Sequence, residues 1–238
     1  MAAKSLTNLF ALVQNAGACL AERCDKQVEF RSDGGELQIQ PSAVETIASV
    51  LLRLVCNCVG YGLESCVQRQ QLGKPDSGTI WMIAHAENDV LHLDVTDDGC
   101  GIATADVRML ACQLGLIEHP EHGLSDAELL SLLFDSRFEI PATAAVRCGC
   151  GLPLAGIHDL LTATGGNISV ASLRGMGTTF CFTLPRAIAP SAPPDVSCEP
   201  DYEQSTRQTA MPRWWQTDSE LFTEPGPHLF RRTGQAID

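Results

Sequence analysis

Basic residues are scarce in this chain. The 16 Lys and Arg stand against 29 Asp and Glu, a formal net charge of -13 that is spread along the sequence and forms no block. Such a surface favours solubility and argues against coating nucleic acid or an anionic membrane, though a basic patch on a partner protein remains compatible with it. Aromatic residues make up only 5%, so the core is expected to be aliphatic with a few Phe anchors. No apolar run reads as long and uninterrupted enough to span a bilayer, and residues 1–7 carry no signal-peptide pattern. The expected compartment is the cytoplasm, with no membrane insertion. The 11 cysteines include no C-x-x-C pair: one residue separates Cys56 from Cys58, and one separates Cys148 from Cys150. That spacing argues against a zinc knuckle and for reduced thiols used in packing. No internal repeat is present.

What is present alternates between helical and extended patterns. Leu6, Leu9, Leu12, Val13, Ala16 and Leu20 recur at helical spacing across residues 5–23. Short extended runs at 27–30 and 36–40 flank Ser32-Asp33-Gly34-Gly35, a strand, a turn and a strand. Val44, Ile47, Leu51, Leu54, Val55 and Val59 then mark one face of a long helix over 42–72. Ser42 is its candidate cap with Glu45 three residues on, and a break is expected near Gly60 or Gly62. Residues 79–85 and 90–96 predict two strands joined at Glu87-Asn88-Asp89. A helix is expected over 102–116. Ser125 and Glu128 form a capping box before another that ends near Phe134. The stretch from there to Gly149 has few periodic apolar residues and reads as a movable lid. Residues 152–164 read as a helix, and 167–171 and 178–184 as strands. Domain 1–185 is followed by a Pro-rich tail, 186–238, expected to be mostly disordered. Within that tail Met211-Pro212-Arg213-Trp214-Trp215 has the look of a short partner-docking motif.

Three glycine-bearing segments are separated along the chain: Asp97-Asp98-Gly99-Cys100-Gly101, Gly149-Cys150-Gly151-Leu152 and Gly175-Met176-Gly177-Thr178-Thr179. Each alone would be a turn signal. Their order, after a helix that carries Asn57, points to a nucleotide site. An ionised Asp97 is acceptor-only and can take the amino donor of adenine. Glycines admit close backbone approach, and backbone N–H groups at Gly149 to Gly151 can face phosphate oxygens. The amide oxygen of Asn57 suits Mg²⁺, a hard cation that prefers oxygen.

The run from 57 to 80, NCVGYGLESCVQRQQLGKPDSGTI, resembles the N-box region of the chemotaxis histidine kinase CheA. Gly62, Leu63, Glu64, Arg69, Gly73, Lys74, Pro75 and Gly78 match in place. Residues 96–101 resemble that family's G1 box, Phe134 and Phe138 its F box, Gly149 and Gly151 its G2 box, and 175–179 its GTGTT box. The likeness covers roughly residues 5 to 185. It implies an α/β fold, the two-layer GHKL or Bergerat sandwich, in which a mixed sheet carries helices on one face and a mobile ATP lid. It also implies ATP and Mg²⁺ as ligands, with Asn57, Asp97, Gly99, Gly101, Gly149, Gly151, Gly175, Gly177 and Thr178 as binding residues and Asn57 at the metal.

Departures cluster where the chemistry would be. CheA-type kinases carry a histidine four residues before the N-box Asn, a catalytic position held here by Arg53. An arginine does not serve as general base but can neutralise phosphate charge; a solvated helix-face charge is the other reading. Cys56, Gly60, Tyr61, Cys148 and Pro153 replace further family residues. No segment shows a phosphoacceptor helix, and His85, His92 and His158 read as structural. The resemblance thus implies a domain of two-component or chemotaxis-like signalling that phosphorylates a histidine on a partner in trans. The alternatives are a non-catalytic nucleotide-binding pseudokinase or, with less support, an anti-sigma-type serine kinase. Implied partners are a histidine phosphotransfer protein, a response regulator or another kinase.

Overall fold

The computed structural model describes residues 4–118, 123–135, 137–138, 154, 156–185 and 187. All of them fall in one compact unit, Met1–Gln204. The sheet is built from β2 (Val28–Asp33), β4 (Gly78–Glu87), β5 (Val90–Asp97), β6 (Asn167–Leu173) and β7 (Gly177–Pro185) in the order β2-β4-β5-β7-β6. It is mixed: β2 runs parallel to β4 and the other neighbours are antiparallel. Strand alternation sorts the two faces. Leu91, Leu93 and Val95 of β5 are fully buried in the core, while His92 and Asp94 between them are half-buried. The β4–β5 hairpin turns at Asn88 and Asp89, both at positive φ, as the expected turn requires. His85 and His92 face each other across this hairpin and stack at 4.6 Å.

Helices α1 (Leu6–Arg23) and α2 (Val44–Asn57) supply the second layer. Ser5 caps α1 by accepting the Thr7 N–H. The expected Ser42 cap on α2 does not form. Pro41 instead starts a 3-10 turn, Pro41–Ala43, and α2 begins at Val44 with Ala43 as an N-cap that makes no side-chain cap bond. The fixed φ of proline pre-sets that first turn, and Gln40 just before it donates its N–H to the Ala187 carbonyl. Ile47, Val50, Leu51, Leu54 and Val55 are all fully buried; each such side chain contributes about 1.5–3 kcal/mol relative to exposure. By length and composition Pro41–Gly62, with mean hydropathy 1.5, could cross a membrane, which corrects the sequence reading that no run is long enough. Its apolar stripe is spent on the protein core.

The break after Asn57 takes a definite form. A π-helical turn, Cys58–Gly62, leads into extended Leu63, and α3 (Cys66–Gln71) restarts with a Ser65/Gln68 capping box. Lys26 steadies the wide turn by donating to the Val59 and Gly60 carbonyls at 2.7 and 2.8 Å. The two extended runs near the N-terminus are not paired with each other. The first, β2, joins the main sheet, and the second, β3 (Gln38–Ile39), pairs with β1 (Lys4–Ser5). A smaller apolar cluster, with Val107, Ala111, Leu129, Leu130 and Phe138, joins α4 (Thr104–Gln113) to α5 (Asp126–Ser131). The predicted Ser125/Glu128 capping box is realised there. The last helix described, α6 (Ile157–Thr162), precedes β6. Ala187 is buried, so packing runs two residues beyond Pro185. The tail motif at Trp214-Trp215 lies outside the described residues, and the eight described cysteines are free thiols.

Candidate functional site

Asp97 ends β5, opposite Thr178 on β7, and is 1% exposed. Its Oδ1 accepts the Gly99 N–H at 2.9 Å, and the Cys58 thiol and the Thr178 N–H also donate to the carboxylate. Burial is the largest influence and raises its pKa to about 6 despite those three donors. Cys58 answers in kind: burial first, then the negative charge of Asp97, pushes its thiol well above the usual range. Neighbouring glycines leave room for the carboxylate. A Cβ on Gly62 would lie 2.9 Å from Asp97 Oδ2, and one on Gly177, at φ +125°, would strike the Asp97 carbonyl. Only glycine lets these two segments close on Asp97.

Behind Asp97 lies a buried lattice of charge. Arg69, 1% exposed, donates to Glu64 at 3.0 Å, to both Asp98 carboxylate oxygens at 3.1 and 2.9 Å, and to the Pro75 carbonyl at 2.6 Å. Lys74 donates to Glu64 at 2.7 Å and to the carbonyls of Asp98 and Gly99 at 2.9 and 2.7 Å. Asp98 also accepts the Thr79 N–H at 2.9 Å. Two cations and two carboxylates thus neutralise each other where desolvation would otherwise be prohibitive, and they hold the backbone on either side of Gly99.

Asn57 is 8% exposed, and its Nδ2 donates to the Arg53 carbonyl at 2.9 Å. That bond commits the amide nitrogen to the helix; of the two amide ends, the oxygen has the chemistry a hard cation prefers. Arg53 sits one turn earlier on α2, half-buried, with Nη1 3.7 Å from where a Gly156 Cβ would stand. Gly101 and Gly175 tie two loops together: the Gly175 N–H donates to the Cys100 carbonyl at 2.7 Å, and a Cβ on Gly101 would strike the Leu173 carbonyl. Thr178 shares a hydrogen bond with Ser172 at 2.9 Å. Among the described residues no group of three His, Cys, Asp or Glu side chains could hold a metal ion.

Residues 44–188 match the family described as histidine kinase-, DNA gyrase B-, and HSP90-like ATPase. This chain belongs to that ATPase family. It is similar to the chemotaxis protein CheA of Cereibacter sphaeroides, 28% identical over 79% of this chain and 27% of that protein. It is 30% identical to CheA of Halobacterium salinarum over 71% of this chain and 26% of that one. The gliding motility regulatory protein of Myxococcus xanthus matches at 29% over 77% of this chain and 24% of the relative. The chain therefore spans about a quarter of the length of these curated relatives. Among solved structures, full-length ShkA in complex with AMPPNP superposes with a TM-score of 0.53 at 20% identity, over 79% of this chain and 31% of that one. The catalytic domain of histidine kinase ThkA superposes at 0.50 with 18% identity, over 78% and 97%. Both likenesses establish the histidine-kinase type of α/β sandwich.

Within the ATPase domain, Asp97, Gly99, Gly177 and Thr178 are brought together as expected. Asn57 and Arg53 follow one another along α2, and Gly101 and Gly175 sit at a loop junction. Gly149 and Gly151, with Cys148, Pro153 and most of the predicted lid, lie outside the described residues. Sequence reasoning matched Gly62, Glu64, Arg69 and Lys74 to a family pattern without giving them a task. It read Cys58 only as a packing thiol and did not single out Lys26, because their roles depend on contacts with Asp97 and with a turn that pattern alone does not define.

Proposed function

We propose that the domain binds ATP, with Asp97 reading the adenine amino group. The observation that carries this reading is a buried carboxylate with two glycine segments closed around it. An acceptor-only group in that setting selects a base that offers an amino donor and rejects one that offers a carbonyl. Asn57 would hold Mg²⁺ through its amide oxygen, the rest of the shell coming from phosphate oxygens and water, and the ion would supply charge neutralisation to the phosphates. The Arg69 and Lys74 lattice keeps Asp97 and Gly99 in place before the nucleotide arrives, which is preorganisation by the protein.

As an ATP-dependent protein histidine kinase of a two-component or chemotaxis-like pathway, the domain would act in the cytoplasm. It would present the terminal phosphoryl group to an imidazole on a histidine phosphotransfer protein or a kinase partner, upstream of a response regulator. Arg53 favours a second reading, a nucleotide-binding pseudokinase. It stands at a position where a base is needed, and a guanidinium does not accept a proton at neutral pH. The test is in two stages. ATP, more than GTP, should raise the melting temperature of the purified chain as linkage requires of a ligand. Radiolabel transfer from ATP to an isolated phosphotransfer protein then separates kinase from pseudokinase. No shift with ATP would overturn both.

A further inference from the structure

His85 of β4 and His92 of β5 stand directly opposite each other in the hairpin register, with their rings 4.6 Å apart and 12° from parallel. Opposed residues of an antiparallel pair have Cβ atoms about 4.5–5.5 Å apart, so the backbone itself brings the two imidazoles together. Alternation puts them on the sheet face away from α1 and α2, because Ala84, Leu91 and Leu93 beside them in the chain are buried in the core. His85 is exposed and His92 half-buried, so the pair is open to solvent. Among the described residues no hydrogen bond or ion pair engages the nitrogens of either ring. Burial, then the proximity of His85, lowers the His92 pKa below its usual value. That favours the neutral imidazole, the form that ligates a metal.

The surrounding charge suits a cation. Glu87 and Asp94, each two residues from a histidine on the same face, both act electrostatically on His92. Thr183 of β7 stands opposite His92 on its other side and brings no charge. Asp94 is engaged by the Cys181 thiol, which donates to it, so the histidines are the available ligands. Metal–nitrogen bonds of about 2.1 Å at a tetrahedral angle place two nitrogens roughly 3.4 Å apart. The stacked rings converge on one ion by turning about Cβ–Cγ, a torsion with broad wells.

We propose that His85 and His92 form a two-histidine chelate for a divalent transition cation of the imidazole-preferring kind, Zn²⁺ or Ni²⁺, with water in the remaining positions. No third protein ligand closes the shell among the described residues, which makes this an open surface site and not a structural cage. The ion ties β4 to β5 beside their turn. Asp97 lies five residues along β5 from His92 and on the helix-facing side, so the chelate is separate from the nucleotide reading.

The test is calorimetric titration of the untagged full chain, kept reduced, with Ni²⁺. Thiols, supplied here by 11 cysteines, compete more strongly for Zn²⁺. Wild type should take up one equivalent of Ni²⁺ whose affinity falls by at least about tenfold in His85→Gln and in His92→Gln, and not in His158→Gln. Ni²⁺ should raise the melting temperature of wild type more than that of the double variant His85→Gln, His92→Gln. Equal melting temperatures in EDTA show that the variants fold. Without any variant, Ni²⁺ should protect His85 and His92 together from diethyl pyrocarbonate, read by mass spectrometry, while His158 stays reactive. Absence of Ni²⁺ binding, binding that survives intact in the double variant, or unprotected histidines under saturating Ni²⁺ would each overturn the proposal.

Discussion

Asp97 and Arg53, both singled out by the sequence, are held in opposite ways. Asp97 receives three donors, has glycine backbone pressed against it and is backed by two cations and two carboxylates that satisfy one another. Arg53 has no ion-pair partner among the described residues. The carboxylate is enclosed by partners the protein itself supplies, whereas the guanidinium is held without a described counter-charge. The contrast teaches that rigidity is concentrated around Asp97, where hydrogen-bond geometry is fixed from several sides, while Arg53 is placed by its helix alone.

The largest expected effect comes from breaking the enclosure around Asp97. Arg69→Met leaves Glu64 with Lys74 as its single cation and Asp98 without its bidentate partner, and should lower stability by about 3–5 kcal/mol, read by urea denaturation. A loss below about 1 kcal/mol, the worth of an exposed pair, would show that the lattice is not a brace. Next is Asp97→Asn, which should weaken adenosine by about 100-fold, since a charge-assisted bond is lost and an amide group now meets the amino donor. The same change should make the unliganded protein more stable at pH 8. The folded pKa of about 6 lies above the ordinary 3.8, so stability associated with this group is full below the unfolded value and is lost as pH rises through 6. Asparagine removes that loss, worth up to about 3 kcal/mol. A less stable Asp97→Asn protein at pH 8 would contradict the assigned burial.

The pH profile of binding sharpens the same point with a smaller signal. Protonation turns the carboxyl from acceptor into donor, so adenosine should bind about tenfold more weakly at pH 5 than at pH 8. A flat profile would separate base binding from Asp97. Smallest is Ser125→Ala in the α4–α5 cluster. It removes a capping box and should cost about 1 kcal/mol in stability while adenosine affinity stays constant. A parallel loss of affinity would mean that this cluster is coupled to the Asp97 loop.

Much of the site was legible before any coordinates. Strand β5 could be traced by its alternation to the Asp97 loop, Ser125 announced its helix, and Gly177 and Thr178 followed a recognisable turn. The Ser42 cap misled because proline three residues before α2 imposes a 3-10 start that a pattern of capping residues does not encode. The reading that no apolar run is long enough to span a bilayer also fell short, because α2 and the π-helical turn after it continue as one apolar helix over 41–62. Arg69 was visible only as a match in a motif. A long basic side chain inside a core reads as surface until its two carboxylate partners, brought from separate parts of the chain, are seen around it.

The order of residues by itself determined the helix and strand periods, the glycines at which the backbone can turn or approach, and the sequence of motifs that marks an ATPase domain. Local steric preference and side-chain spacing are enough for those. Tertiary structure alone decided that Asp97 is buried with a raised pKa, that Arg69 and Lys74 brace its loop, and that Arg53 has no ion-pair partner among the described residues. Those properties depend on dielectric environment and on the distance between charges far apart in the chain, and both come into existence only when the sheet and α2 have closed on each other.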